Sequence, residues 1–332
     1  MSQHDFPSGF MLVQGNRVEQ LRDLLVAWTT RHPLAPLENE IILVQSNGIA
    51  QWLRLALAAS DQARNIAAGL QTLLPSSFIW QVYRTVLEKV PPTSAYNKGP
   101  LTWRIFRLLQ NENLLRQELG AQAADLTAFL QQSRPQYRAW QFARSVADIF
   151  DQYQVYRADW LQDWSAGNDC LRDYRQNPKN SVPATQLWQP GLWRLLEKDI
   201  ADQSGRSFLH QQFLQKIKKY KKRPQALPRR VLVFGITSLP TQILEVLHAI
   251  SAFSQVMFFI HNPCRHYWGD IVEGREMFAS LYRRTRERKI PDLCDENSLH
   301  IYGHPLLAAW GKQGRDYIRL LDELDHRHTQ SL

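Results

Sequence analysis

No window of this chain approaches the ~18 consecutive apolar residues that a membrane-crossing helix requires. Its N-terminus, Met1-Ser2-Gln3-His4-Asp5-Phe6-Pro7, has neither the basic start nor the apolar core of a secretory signal. Both absences predict a cytoplasmic protein with no membrane partner. Cysteine is scarce: Cys170, Cys264 and Cys294 are odd in number and never spaced as a CxxC pair, which disfavours a disulfide framework and a zinc site. His261, Cys264 and His266 lie close in sequence, but no fourth ligand is near them, and a closed structural zinc site needs four. No fixed-period repeat and no low-complexity tract is visible, so solenoid and collagen-like classes are disfavoured.

A further absence sits where a nucleotide-binding fold carries its phosphate loop. The apolar run Phe10-Met11-Leu12-Val13 reads as a strand, Gln14-Gly15-Asn16-Arg17 as a turn, and Val18 to Trp28 as an amphipathic helix. A phosphate loop at that turn needs glycines for close backbone approach, a Lys for the phosphates and a Ser or Thr for magnesium. Here there is one Gly, no Lys and no hydroxyl. The expectation is an NTPase-type α/β scaffold that does not bind NTP at its own first turn.

What the chain does have is positive charge. Forty Lys and Arg against 31 Asp and Glu give a formal net charge of +9. A pI near 9.5 makes an acidic polymer, nucleic acid first of all, the natural partner. Eleven Trp and eleven Tyr offer flat surfaces for unpaired bases, although most aromatics in any packed domain are core. Hydrophobic residues at 44% and charged residues at 21% are ordinary for a globular chain of 332 residues, enough for roughly two domains.

Along the chain, 1–75 reads strand, helix, strand, helix, with Glu40-Ile41-Ile42-Leu43-Val44 as a buried strand and Gln45-Ser46-Asn47-Gly48 as a turn carrying a helix cap. From 76 to 203 the pattern is all helical, with runs Phe78 to Leu87, Leu101 to Leu119, Ala121 to Leu130, Tyr137 to Tyr156 and Trp188 to Leu196. Strand-like runs return in 204–332, at Val231 to Phe234 and Gln255 to Ile260. An amphipathic helix at 306–324 closes the chain, with Trp310, Tyr317, Leu320 and Leu321 on one side. The fold class predicted is α/β: a parallel sheet with right-handed crossovers, interrupted by an all-helical insertion.

Several collinear segments carry a family resemblance. They include Ile42-Leu43-Val44-Gln45-Ser46 with Ala50-Gln51-Trp52-Leu53, then Leu74-Pro75 with Ser77-Phe78-Ile79-Trp80, and Phe150-Asp151-Gln152-Tyr153 followed by Val155-Tyr156-Arg157 and Asp159-Trp160-Leu161. Asn262-Pro263-Cys264-Arg265, Tyr267-Trp268-Gly269-Asp270-Ile271 and Gly314-Arg315-Asp316-Tyr317-Ile318 continue the series. The chain resembles the N-terminal part of the RecC family, the gamma subunits of exodeoxyribonuclease V, the RecBCD helicase-nuclease. The resemblance implies a superfamily 1 helicase-like fold without ATP hydrolysis, RecB and RecD as partner subunits, and double-stranded DNA ends and single-stranded DNA as ligands. It also implies that no cofactor belongs to this chain, ATP and magnesium being held by the partner motor subunits. Gly235-Ile236-Thr237-Ser238, after a strand, lacks the acidic pair with which a helicase holds magnesium, in agreement. Members of the family are much longer, so the chain is expected to be a fragment or a truncated reading frame.

Residue by residue, the resemblance places Gln45, Asn47, Gln51, Leu74, Trp80, Asp148, Ile149, Asp151, Arg157 and Arg206 at a channel that reads the guanine-rich Chi sequence, with Asn47 standing where a better-known member has Thr. Chemically, Gln and Asn amides pair two-pronged with adenine, a carboxylate accepts from cytosine N4, and Arg reads guanine O6 and N7. Each has a plain alternative. Gln45, Asn47 and Gln51 also suit an ordinary helix cap, Leu74 and Trp80 a core, and Arg144 with Asp148 an exposed i,i+4 ion pair. Asp148 and Asp151, three apart, lack the His or third acid that would suggest acid-base or metal chemistry. The basic runs 216–223 and 283–289 read as solvated surface or sequence-blind phosphate contacts.

Overall fold

The computed structural model describes residues 7–59, 66–87, 90–91, 94–132, 134–172, 178–200, 205–263, 268 and 310–329. The chain divides into two compact units, one of 1–82, 220–239 and 243–332, the other of 83–219 with 240–242.

The first unit is built on a five-stranded sheet in the order β1-β7-β6-β2-β3, with every pairing parallel. Its strands are β1 (Gly9–Gly15), β2 (Glu40–Val44), β3 (Leu70–Leu73), β6 (Arg230–Phe234) and β7 (Gln255–His261). β2 and β6 are buried at every position, as near-continuous apolar runs covered on both faces must be. The helices of the unit include α1 (Val18–Arg31), α2 (Asn47–Ala58) and α11 (Thr241–Ser251). Leu21 and Leu25 of α1, Leu53 and Leu57 of α2, and Ile42, Leu232 and Phe259 of the sheet form one core. At the sheet's N-terminal edge, Arg230 is 0% exposed and bound two-pronged by Glu40 on the adjacent strand. Its Nη2 also donates to His32 O at 2.8 Å. A closing helix, α12 (Lys312–Thr329), buries Tyr317, Ile318 and Leu321, while Trp310, expected on that apolar side, precedes the helix and is exposed. The apolar repeat begins only at Tyr317, one turn after the helix starts.

The second unit is mostly helical: α4 (Lys98–Leu109), α5 (Glu112–Leu119), α6 (Gln122–Leu130), α7 (Pro135–Tyr156), α8 (Ala158–Ser165), α9 (Trp188–Ile200) and α10 (Arg206–Ile217). α3 (Pro75–Val86) runs from the first unit into it. The single helix expected from Leu101 to Leu119 is two. Asn111 breaks it by capping α5, its side chain accepting from Leu114 N–H at 3.1 Å.

Two strands of this region correct the all-helical expectation for 76–203. β4 (Cys170–Arg172) and β5 (Pro178–Ser181) form an antiparallel pair, too short to leave a period-2 signal. Side chains of α8 hold β4 in place: Trp160 Nε1–H donates to Arg172 O at 3.1 Å and Trp164 Nε1–H to Cys170 O at 3.2 Å. β3 also escaped the sequence, being four half-buried residues directly before the Leu74-Pro75 helix start.

Asp163 of α8 anchors the same hairpin. Arg172 donates to both its oxygens, Nε at 2.6 Å and Nη2 at 2.7 Å, and holds the carboxyl below the usual carboxylate range despite its burial. The Cys170 thiol lies 3.3 Å away and is pushed up by burial first and Asp163 second, so it stays protonated and inert at neutral pH. Because the folded-state pKa of Asp163 is depressed, its stabilisation is present above about pH 4, the unfolded carboxyl value, and is lost as pH falls through the folded value. Arg172→Ala removes that depression. Acid titration followed by circular dichroism is expected to show the variant losing structure at a higher pH than wild type; coincident acid limbs would show that the pair contributes nothing.

Candidate nucleic-acid interface

In the first unit, the C-terminal edge of the sheet carries the predicted polar residues. β2 ends at Val44, and Gln45 follows, exposed. Ser46, not Asn47, is the N-cap of α2, its side chain accepting from Ile49 N–H at 3.4 Å. This leaves Asn47 and Gln51, four apart and so on one helix face, exposed with no side-chain hydrogen bond among the described residues. The register Leu43↔Leu73 places the ends of β2 and β3 side by side, so Leu74, the exposed residue after β3, shares this edge with Gln45. Leu74 O starts α3 by accepting from Phe78 N–H at 3.1 Å, and Trp80, half-buried, lies on that helix.

The β1–α1 turn lies at the same edge. Gly15 O accepts from Asn262 N–H at 2.9 Å, and Asn16 O accepts from His261 Nε2–H at 3.2 Å. A Cβ at position 15 would come within 3.1 Å of the Leu21 side chain. Arg17 caps α1 without a side-chain bond, putting a cation at the positive end of the helix dipole. Cys264 and His266, weighed with His261 as metal ligands, lie outside the described residues, as do Cys294 and the basic run 283–289. Of the run 216–223, Lys218, Lys219, Lys221 and Lys222 are exposed.

In the second unit, α7 turns Ala139, Ala143, Val146, Ala147, Phe150 and Gln154 inward. Ile149, apolar like Phe142, Val146, Phe150 and Tyr153, is exposed at 36%, because the buried face of the helix is narrower than its apolar residues. Asp148, Ile149, Asp151 and Gln152 thus point away from the core. Asp148 does not pair with Arg144 as its i,i+4 spacing suggested. Lys98 of α4 takes it instead, and Gln152 Nε2–H donates to it at 3.3 Å. The Lys98 hydrogen bond lowers the Asp148 pKa, with Gln152 and the Arg144 charge adding, so at neutral pH this is an acceptor-only carboxylate.

Asp151 meets Arg206, the first residue of α10, at 3.2 Å. The approach is not a formed hydrogen bond: Asp151 Oδ1 and Arg206 Nε are buried without a hydrogen-bond partner among the described residues. Arg157, between α7 and α8, is more fully engaged. Its Nε and Nη2 donate to Asp159 at 3.1 and 2.7 Å, Nη2 also donates to Arg172 O, and the guanidinium lies 4.0 Å over the Trp160 ring. Only the Nη1 edge remains for a base. Sequence reasoning missed Lys98, Asp159 and Trp160 as partners of these residues; the two-residue spacing of Arg157 and Asp159 was the one signal available.

A family profile described as "RecC, N-terminal domain" matches residues 10–332. The chain belongs to the RecC N-terminal domain family. It is 36% identical over 329 residues to "RecBCD enzyme subunit RecC" of Escherichia coli K12, covering 93% of this chain and 28% of that protein. The protein of the same description from Haemophilus influenzae is 34% identical over 356 residues, 94% of this chain and 30% of the relative. That from Mycolicibacterium smegmatis is 25% identical over 324 residues, 95% and 25%. The chain therefore spans under a third of the length of these RecC relatives. Among the described residues, no helix is long and apolar enough to cross a membrane.

Proposed function

We propose that this chain is a DNA-reading, non-catalytic part of a RecBCD-type helicase-nuclease acting in double-strand break repair and recombination. In this reading the parallel-sheet unit is an inactivated helicase-like domain and 76–203 its helical insertion. RecB and RecD supply the motors with their ATP and magnesium, and Gln45, Asn47, Gln51, Leu74, Trp80, Asp148, Ile149, Asp151, Arg157 and Arg206 face the 3′-ended strand. The observation that carries it is the Asp151–Arg206 pair. Residues far apart in sequence are brought together, yet their hydrogen-bonding capacity is left incomplete, as at a site that awaits a ligand. The bare amides of Asn47 and Gln51 and the acceptor-only Asp148 suit base edges in the same way. The β1–α1 turn supports the non-catalytic part, since its carbonyls are tied to β7 and it has no Lys or hydroxyl to offer a triphosphate.

A second reading, a docking scaffold for the motor subunits without base readout, is favoured by one feature. Leu37 is fully exposed with a φ of 73° and precedes Glu38, which with exposed Ile66 lines a cleft of about 360 Å³ at the N-terminal edge of the sheet. A non-Gly residue in the left-handed region, apolar and in solvent, marks a surface suited to a protein partner.

The deciding experiment uses the RecC-type subunit assembled with RecB and RecD of its own source, measuring Chi-dependent change in DNA degradation. Asp151→Ala and Arg157→Ala are expected to leave unwinding intact and abolish the Chi response. An unchanged Chi response would make these residues structural and favour the scaffold. ATP hydrolysis above background by the isolated chain would overturn the non-catalytic reading outright.

A further inference from the structure

An open groove of about 830 Å³ runs along α7 from Arg134 to Asp148, and Asp151, Arg157 and Arg206 do not line it. Its walls carry four cations: Lys98, Arg134, Arg138 and Arg144. The one acid lining it among the described residues, Asp148, is already neutralised by Lys98. The groove therefore keeps a surplus of positive charge in a concave space, which concentrates an anionic polymer more than the same charges on a flat surface would.

Two of its aromatics are presented to solvent rather than to the core. Tyr137 is 57% exposed and Phe129 is 41% exposed, with the Arg138 guanidinium 5.1 Å over the Phe129 ring. Exposing large rings has a cost: on α7, Phe142, Phe150 and Tyr153 pack against the core, Trp140 stacks on Trp103, and only Tyr137 and Tyr156 are left mostly exposed, of which Tyr137 lines the groove. Arg134, at the N-cap of α7, is held with φ 57° and ψ 63°, a conformation unfavourable for a residue with a Cβ. It makes no capping bond, so the helix does not need its side chain there. Arg134 thus adds a cation at the end of a 22-residue helix whose dipole is already positive.

We propose that this groove is a sequence-blind track for the backbone of a single nucleic-acid strand, with Arg134 and Arg144 on phosphates and Tyr137 and Phe129 as stacking platforms. It rests on the reading of the chain as a DNA-binding protein and adds a binding section that the ten predicted contact residues, Asp148 at its end apart, do not include. Cations interleaved with exposed rings fit single strands, whose every base has a free face to stack. A duplex would meet the charges but leave the rings idle. An acidic protein segment would match the charge and is the occupant the test must separate.

The test is fluorescence anisotropy of the 332-residue chain with a labelled mixed-sequence single strand, at several salt concentrations and with poly-glutamate as competitor. Tyr137→Ala is expected to weaken binding by about tenfold. Arg134→Gln with Arg144→Gln is expected to flatten the log affinity against log salt slope by about 1 to 1.5. Both substitutions are at exposed positions, and an unchanged melting temperature verifies that folding is intact; should the double variant fail to fold, Tyr137→Ala alone decides. Wild-type binding that resists these changes but weakens with Arg206→Gln would overturn the groove and leave the DNA-reading proposal standing. Absence of any DNA binding would overturn both. Displacement of the strand by poly-glutamate at equal charge concentration would overturn the strand in favour of an acidic protein partner.

Discussion

Glu40→Ala is expected to destabilise the α/β unit by about 3–5 kcal/mol, the cost of leaving a buried charge without its counter-ion. Arg230 is wholly buried at the N-terminal edge of the sheet, where the β2–β6 register sets it beside Glu40. The guanidinium is held by two bonds to Glu40 and one to His32 O. Removing the carboxylate takes away two of these bonds and leaves the buried guanidinium without its counter-ion. The reverse comparison isolates the cause. Glu40→Leu with Arg230→Met removes both charges and keeps the volume, and is expected to be near neutral or stabilising. Urea unfolding of each variant followed by circular dichroism reports the difference. If Glu40→Ala costs under 1 kcal/mol, the pair is behaving as a surface salt bridge and the burial is wrong.

Phe150→Ala is the second large effect, about 3–5 kcal/mol for an aromatic removed from a close-packed core. Phe150 is 0% exposed and meets Trp193 edge to face, with ring centroids 5.4 Å apart at 82°. It is also the residue between Ile149 and Asp151, so its insertion is what turns the neighbouring acids outward and fixes where Asp151 meets Arg206. The consequence extends to the DNA-reading function proposed above. Phe150→Leu, which keeps most of the apolar volume, should cost far less stability than Phe150→Ala. In the assembled complex Phe150→Ala is expected to impair the Chi response at temperatures where the helical unit is still folded, because the Asp151–Arg206 contact is positioned rather than bonded. Thermal melts together with the Chi assay separate these outcomes. A variant that loses stability but retains full Chi response would show that α7 holds the two acids by other means.

Much of the architecture was legible in the chain because strand and helix signals here are local. Val44, Phe234 and Ile260 each end an uninterrupted apolar run followed by a turn residue, and those runs are strands of the parallel sheet. That Gln14 to Arg17 holds one Gly, no Lys and no hydroxyl was equally plain, since it depends on residue types within four positions. What escaped was short or split by a single cap. β3 and the β4–β5 pair have three or four residues each, below the length at which alternation can be recognised, and Asn111 divided a continuous helical pattern with one side-chain bond. The ten candidate contact residues came from family resemblance, and no periodicity in the sequence would have singled them out.

Sequence alone determined the α/β class, the basic character and the family, because these rest on local propensity, composition and motifs held in one order along the chain. Partnership was decided only in three dimensions. Asp148 pairs with Lys98 rather than Arg144, Arg157 is committed to Asp159 and Trp160, Asp151 faces Arg206, and Arg230 finds Glu40 across two strands. A charged side chain takes the nearest partner that packing brings to it. Packing is set by the apolar faces of α4, α7, α10 and the sheet, not by the spacing of the charges themselves.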